Sequence, residues 1–543
     1  MNKKLFKDPA KKAKYKKPSI AKVGVRLPNV PKMDTFNKAG GRAYQRPDEE
    51  ALAVFACTGR LNGTFYSSAK DEFNQTITLA SKCSPETVLK IAVHARTSGY
   101  MKDMPALLLA YVISREYHNT SPEAKRQTIA AFNIVCDNVK MLRNIVEIIR
   151  SGKLGKKSLG AFLKKQIEAK LASMTDDQIF KGSVGNNPSL ADIIKLTHPN
   201  PVENPNGHVG KNTREALYRY LIGKEVKNKN LLPNLVKEYE SFKKQELDYV
   251  PDVPFQMIAG LNVTDKAWDQ IFDKAKYQMT LMNLNTAARH NVFSTKKRTK
   301  MIVDRLSDSN LLKQARLFPF TLYNAYRHLD AAVPTEVKNA VRHACFLSGA
   351  NIPNLPGKYV VAVDISGSMS AKLDSDRAHK SSGKPLTCLD AASIFAMLLK
   401  AYNPHFDILE FNDHCRPNNQ VNLETSLDCA FKTWGGTDIA SVLTYIGQKH
   451  YDGIIILSDN ETWRETYTGR SNLAQLWSRY SGWYPLSKMV LVDMVPNTTT
   501  QVIAQPNILR VGGMSDAVLQ TITSYLLHPE DNFWINQIDN IAL

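Results

Sequence analysis

The sequence predicts two structural classes in series: an all-helical region, then a doubly wound α/β domain built on a parallel sheet. Three observations carry this. From about Asp48, apolar residues recur at helical spacing for roughly 300 residues. Beyond Pro353 the pattern changes to short, wholly apolar, β-branched runs alternating with helical segments, as in a sheet covered on both faces. Charge changes at the same place: of the net +20 carried by 543 residues, residues 1–47 hold +12, residues 48–356 hold +13 and residues 357–543 hold −5. The expected organisation is a basic, unstructured arm over 1–47, a helical domain over 48–352 and an α/β domain over 353–543.

Composition removes several classes. The longest apolar stretch, Pro105 to Ile113, is far below the roughly 18 residues that span a bilayer. Lys3, Lys4 and Lys7 are followed by no apolar region, so no secretory signal is expected. Seven cysteines form no CxxC pair or regular spacing, which argues against a disulfide framework or a zinc site and for a reducing, cytoplasmic setting. The basic first two-thirds point to a polyanion partner, the alternative being a solvated, lysine-rich surface.

In order along the chain, the arm contains KKAKYKKP (Lys11 to Pro18), suited to non-specific phosphate contact. Val88, Ile91, Ala92 and Ala95 form one helical face, and Val139, Leu142, Val146 and Ile149 another, on a long segment starting near Pro122. Further helices are expected at 105–116, 160–173, 213–222, 233–245, 265–282, 309–328 and 334–348. Periodicity leaves a helical-repeat solenoid and an irregular bundle equally open. Past ANIPNLPG (350–357), strands are expected at Tyr359–Ile365, Phe406–Phe411, Gly453–Leu457, Lys488–Met494 and Asn507–Val511. Helices are expected at Thr387–Tyr402, Thr437–Gln448 and about 515–527. In such a fold the ligand site lies at the carboxyl ends of the strands.

Five oxygen-bearing residues fall there: Asp364, Ser366 and Ser368 in one turn, Thr437 in the turn GGTD, and Asp459 ending IIILSD. Two carboxylates and three hydroxyls without His or Cys suit a hard divalent cation, Mg²⁺ first, with Mn²⁺ or Ca²⁺ behind it. One coordination position is expected to stay open for a carboxylate or phosphate from a partner. The pattern D-x-S-x-S…T…D resembles the metal-ion-dependent adhesion site of von Willebrand factor A domains. Asn460 stands where many such domains carry Gly, and no nearby His or Lys has a motif-defined place as a catalytic base, so no enzyme is expected.

In the helical region, ALAVFACTGRLNGTFY (Ala51–Tyr66), AVHARTSGYMKDMPALLLA (Ala92–Ala110), KLTHP (Lys195–Pro199) and RLFPFTL (Arg316–Leu322) resemble the TROVE module of the Ro autoantigen family. With the A domain that follows, the resemblance covers roughly residues 45–540 in the family's order of parts. It implies a ring of HEAT-type helical repeats closed by the A domain. It also implies binding of small structured RNA (Y RNA-like) on the ring and of single-stranded 3′ ends of misfolded non-coding RNA through it, with a 3′→5′ exoribonuclease as an associated partner and a monomeric protein. By the same resemblance His198 matches the histidine of KLTHP and Lys181 the place of a cavity lysine, while Arg96 and Lys102 flank a Gly turn. For His198 a helix-terminal cap, and for Arg96 and Lys102 a surface turn, are the alternatives.

Independently of any family, Arg150, Lys153, Lys156, Lys157 and Lys164 crowd one stretch whose SGKLGKKS precedes a helix, where amides and lysines together can hold phosphate. The alternative is a solvated helix face. Arg289, in ARHNVF, is a further cavity candidate. Three functions follow from these features: a non-catalytic RNA-binding scaffold, a protein adaptor gripping a partner carboxylate through the cation, and a metal-dependent hydrolase.

Overall fold

The computed structural model describes residues 30–543 except 62–65, 117–120, 186–187, 202–210, 262, 374–385, 422–430, 464–470 and 530–532. Helices follow one another from Asp48 to Leu347, and the first long strand starts at Tyr359. Where the apolar face was legible the helices bury it. The helix Pro85–Thr97 buries Val88, Ile91, Ala92 and Ala95, and Val139–Arg150 buries Val139, Leu142, Val146 and Ile149.

Three expected long helices are broken, each for a local reason. The segment from Pro122 stops at Val135 and restarts at Val139, because Asn138 turns extended and its side chain accepts from the Met141 amide (3.1 Å). The 265–282 segment divides into Asp265–Lys274 and Tyr277–Met282, with Ala275 extended between them. The 309–328 segment divides at Arg316, whose φ of 46° is left-handed, before Pro319 opens the helix Pro319–Arg327.

The α/β domain is a six-stranded sheet in the order β5 (Cys415–Pro417), β4 (Asp407–Phe411), β3 (Tyr359–Asp364), β6 (Gly453–Ser458), β7 (Lys488–Asp493), β9 (Ile508–Gly512). All neighbours are parallel except the edge pair β4–β5. From β3 the chain steps to β4 on one side and later to β6 on the other, so a topological switch point lies between β3 and β6. One face of the sheet packs its Val361, Val363, Ile455 and Val511 against a core continuous with the first helices. The other buries Val360, Ile454, Trp477 and Tyr480, and a separate core around Trp268, Phe272, Val337 and Val341 holds the last helices.

The helical path begins and ends against this domain. The helix Asp48–Thr58 packs on β9, and Pro319–Arg327 packs on Cys388–Tyr402. The two ends also meet: the Arg60 guanidinium lies 5.6 Å and 5.4 Å from the rings of Phe318 and Phe320, and Tyr100 lies 6.2 Å from Phe318.

The arm expected over 1–47 needs correction. Residues 1–29, with KKAKYKKP, lie outside the described residues, but 30–47 form a strap: β1 (Thr35–Phe36) pairs with β2 (Arg42–Gln45), which pairs with β8 (Thr499–Thr500) of the α/β domain. Strands of two to four residues carry too short an alternation to read, and this one exists because β8 supplies its partner. Among the described residues no helix is long and apolar enough to cross a membrane.

Candidate metal centre and basic surfaces

Asp364 ends β3 and Asp459 directly follows β6, one on each side of the switch point. Ser366 and Ser368 lie in the turn after β3. The Ser366 amide donates to Asp364 Oδ1 (2.8 Å), and the two serine hydroxyls are 3.1 Å apart. Ser458 donates to Asp364 Oδ2 (2.5 Å), fixing the carboxylate from the neighbouring strand. The turn carrying Thr437 is stitched to this one: the Trp434 amide donates to the Ile365 carbonyl (2.8 Å) and the Gly367 amide to the Gly435 carbonyl (3.2 Å). Gly436 must be glycine, since a Cβ there would meet Asp413 Oδ1 and the Trp463 ring, each at 2.7 Å. Asp413 accepts from the Gly436 amide (3.1 Å), so it shapes the turn that presents Thr437.

The five expected ligands thus share one strand-end locus, and all are at most 4% exposed. Asn460, standing in place of the usual Gly, has φ 60°; asparagine tolerates this left-handed conformation, so the loop keeps its course without glycine. Burial raises the Asp364 carboxyl, and the adjacent Asp459 raises it further; burial raises Asp459 too. Two buried carboxylates with uncompensated charge, ringed by hydroxyls, are the donor chemistry a divalent cation satisfies.

Three residues at this locus were missed by the sequence reading. Lys38 of the strap, Tyr66 and Glu461 close over one tightly filled cleft with Ser368, Ala371, Asp459, Val495 and Asn497. Lys38 Nζ donates to the Pro496 carbonyl (2.9 Å); burial lowers its ammonium pKa against the opposing pull of Glu461. Burial, then Asp459, raises Glu461. Tyr66 hydrogen bonds Ser368 and is pushed up to about 12, first by burial and then by Asp459. A lysine therefore does stand at this site, brought from a segment more than 300 residues away in sequence. Glu461 alone was readable, two residues beyond Asp459. Behind the pocket, Arg46 is wholly buried between Glu50 and Asp493, 2.5 Å from each, and Glu50 also pairs with Arg510.

The residues considered for RNA separate into two groups. Arg96 is engaged: it grips both oxygens of Asp137 (2.8 Å each) and donates to the Met101 carbonyl, which holds the Gly99 turn, so it does not face outward as a phosphate ligand would. Lys181 is paired with Asp252 (2.5 Å). His198 closes the helix Leu190–Thr197 in left-handed conformation (φ 47°), the cap arrangement, with its side chain exposed. Lys102 is exposed beside Lys140, and Arg289 is exposed and donates to Thr286 Oγ1 (3.0 Å).

The other group converges. Arg150, Lys153, Lys156, Lys157 and Lys164 are all exposed around the turn that enters the helix Gly160–Ser173. That helix starts at Leu159 without a side-chain cap, so its first amides have no such acceptor. Lys153 Nζ lies 5.4 Å from the Phe73 ring, and among the described residues none of these four lysines forms an ion pair.

Residues 358–526 match the Ro60 vWA domain family, and residues 259–377 match the TROVE domain family. The segments 51–66, 92–110 and 195–199 that resemble TROVE lie outside the matched range. A protein of Caenorhabditis elegans described as RNA-binding protein RO60 is 25% identical over 218 residues, 36% of this chain and 32% of that protein, so the chain matches about a third of the length of this curated relative. The crystal structure of the Deinococcus radiodurans Ro (RSR) protein superposes with a TM-score of 0.58 at 18% identity, covering 88% of this chain and 99% of that one, and shares the fold.

Proposed function

This chain belongs to the Ro family, with its TROVE segment preceding its A domain, and from that premise we propose that it is a non-catalytic RNA-binding protein whose basic helical surface holds small structured RNA. The carrying observation is the cluster Arg150, Lys153, Lys156, Lys157 and Lys164, exposed around an uncapped helix N-terminus on the half of the chain that bears the positive charge. Lysines without acidic partners attract phosphate without discriminating sequence, and free amides at a helix start add directional donors. Aromatics interleave poorly with this run, which favours a duplex backbone over stacked bases. The finer parts of the proposal are a Y RNA-like ligand, capture of misfolded RNA 3′ ends, and work beside a 3′→5′ exoribonuclease in cytoplasmic RNA quality control. The Asp364, Ser366, Ser368, Thr437, Asp459 set is proposed to hold Mg²⁺. An adaptor reading has less support, because Lys38 and Tyr66 line the mouth through which a partner acid would reach the cation.

Anisotropy titration of a labelled stem-loop RNA tests the surface. Binding should weaken about a thousandfold between low and moderate salt if six or more phosphates are contacted. Lys156→Glu with Lys157→Glu should weaken it further while leaving the melting curve unchanged. Equal affinity of that double variant and wild type would remove the surface from the proposal.

A further inference from the structure

In a cation site of this kind the outward coordination position is where another molecule's acidic group docks; here the geometry points to a different occupant. We propose that the partner of this cation site is the chain's own N-terminal turn, Asn37–Gly41, which closes the site to carboxylates from other molecules and makes the cation an internal clasp between strap and α/β domain. The inference rests on the reading of the five residues as a cation site.

The strap is fastened to the loop that follows Asp459. Asn37 Nδ2 donates to the Thr462 carbonyl (2.5 Å), and its Oδ1 accepts from the Gly41 amide (2.8 Å). The Ala39 amide donates to Glu461 Oε2 (3.0 Å), and the Lys38 amide also donates to this carboxylate. Gly41 runs so close to this loop that a Cβ would stand 1.9 Å from the Thr462 carbonyl oxygen, a place only glycine can occupy. On the far side of the turn, β2 pairs with β8, and Arg46 is buried against Asp493 and Glu50. The turn is thereby held from both ends.

Charge agrees with closure. Asp364, Asp459 and Glu461 bring three buried acids to the locus, and the strap brings Lys38 as their basic neighbour. A further carboxylate from outside would add another acid to a cleft already filled by Lys38 and Tyr66.

The test is calorimetric titration of the full chain with Mn²⁺, with and without excess acetate as the outside carboxylate. Two variants open the mouth: Gly41→Leu, which drives the turn off the loop, and a chain starting at Arg42, which keeps β2 and Arg46. Melting in chelator confirms that each is folded. Acetate should leave wild-type Mn²⁺ affinity unchanged and tighten it several-fold in both variants. Equal tightening in wild type would show an open site and overturn the closure, as would a variant that stays indifferent to acetate. Wild type that binds no Mn²⁺ would overturn the cation reading itself, an outcome distinct from an open site.

Discussion

At the scale of single residues, the proposed cation site poses a conflict that a bound ion would resolve. Asp364 is held by the Ser366 amide and the Ser458 hydroxyl, yet it is wholly buried beside Asp459; burial raises both carboxyls, and Asp459 raises Asp364 further. Asp364→Ala should therefore act oppositely in two buffers. In chelator the variant should melt at or above wild type, since one of two repelling buried charges is gone. In saturating Mg²⁺ the wild type should gain about 2.7 kcal/mol at a hundredfold excess over its dissociation constant, and the variant should gain nothing. Thermal melts in both buffers check this, and an equal Mg²⁺ gain in the variant would contradict the site. These five residues were legible because D-x-S-x-S is a single turn, Thr437 lies in the turn GGTD, and Asp459 ends an apolar run that reads as a strand. Lys38 and Tyr66 were not legible: they reach the site from segments whose proximity depends on the whole topology. The Asn460 departure from glycine was visible, but its harmlessness required the backbone angle.

Elements were legible where one face was apolar for several turns, and illegible where a neighbour decided the outcome. The helix Gly160–Ser173 appears over the residues expected, whereas the strap was read as an unstructured arm because β8 lies more than 450 residues away in sequence. The helix Phe533–Asp539, likewise unexpected, is docked on Pro85–Thr97 by the Trp534 indole, which donates to His94 Nε2 (3.2 Å). That bond needs a neutral imidazole, and burial lowers the His94 pKa to about 4. A histidine whose folded pKa lies below its unfolded value stabilises fully above about 6.5, and the contribution is lost as pH falls from there towards about 4. The loss should reach up to about 3 kcal/mol. Denaturant melts at neutral and mildly acidic pH check it: His94→Gln, which accepts the same bond without titrating, should lose less stability on acidification than wild type. Parallel losses would assign the acid sensitivity elsewhere.

At the scale of the molecule, the charge division predicted from sequence survives, but the strap redraws where it falls. Of the +12 carried by residues 1–47, the strap segment 30–47 holds +3, with Lys38 and Arg46 turned inward against buried acids, and residues 1–29 hold +9. On the RNA-binding function proposed above, those charges and the cluster near Lys156 would act as two separate polyanion contacts, because the strap anchors the start of the described chain on the α/β domain while the cluster lies on the helical region. Contacts of this kind add in the salt dependence of binding, each phosphate neutralised contributing a slope of about 0.7–0.9 in log affinity against log salt. Removing residues 1–29 should therefore lower the magnitude of that slope for RNA while leaving the melting temperature unchanged, since the residues that build the strap remain. Combining the truncation with Lys156→Glu and Lys157→Glu should lower the slope by the sum of the two separate effects. A slope unmoved by truncation would place all phosphate contact on the helical surface. A fall in melting temperature would instead show that residues 1–29 act on the fold, and the charge of the arm would lose its role in binding.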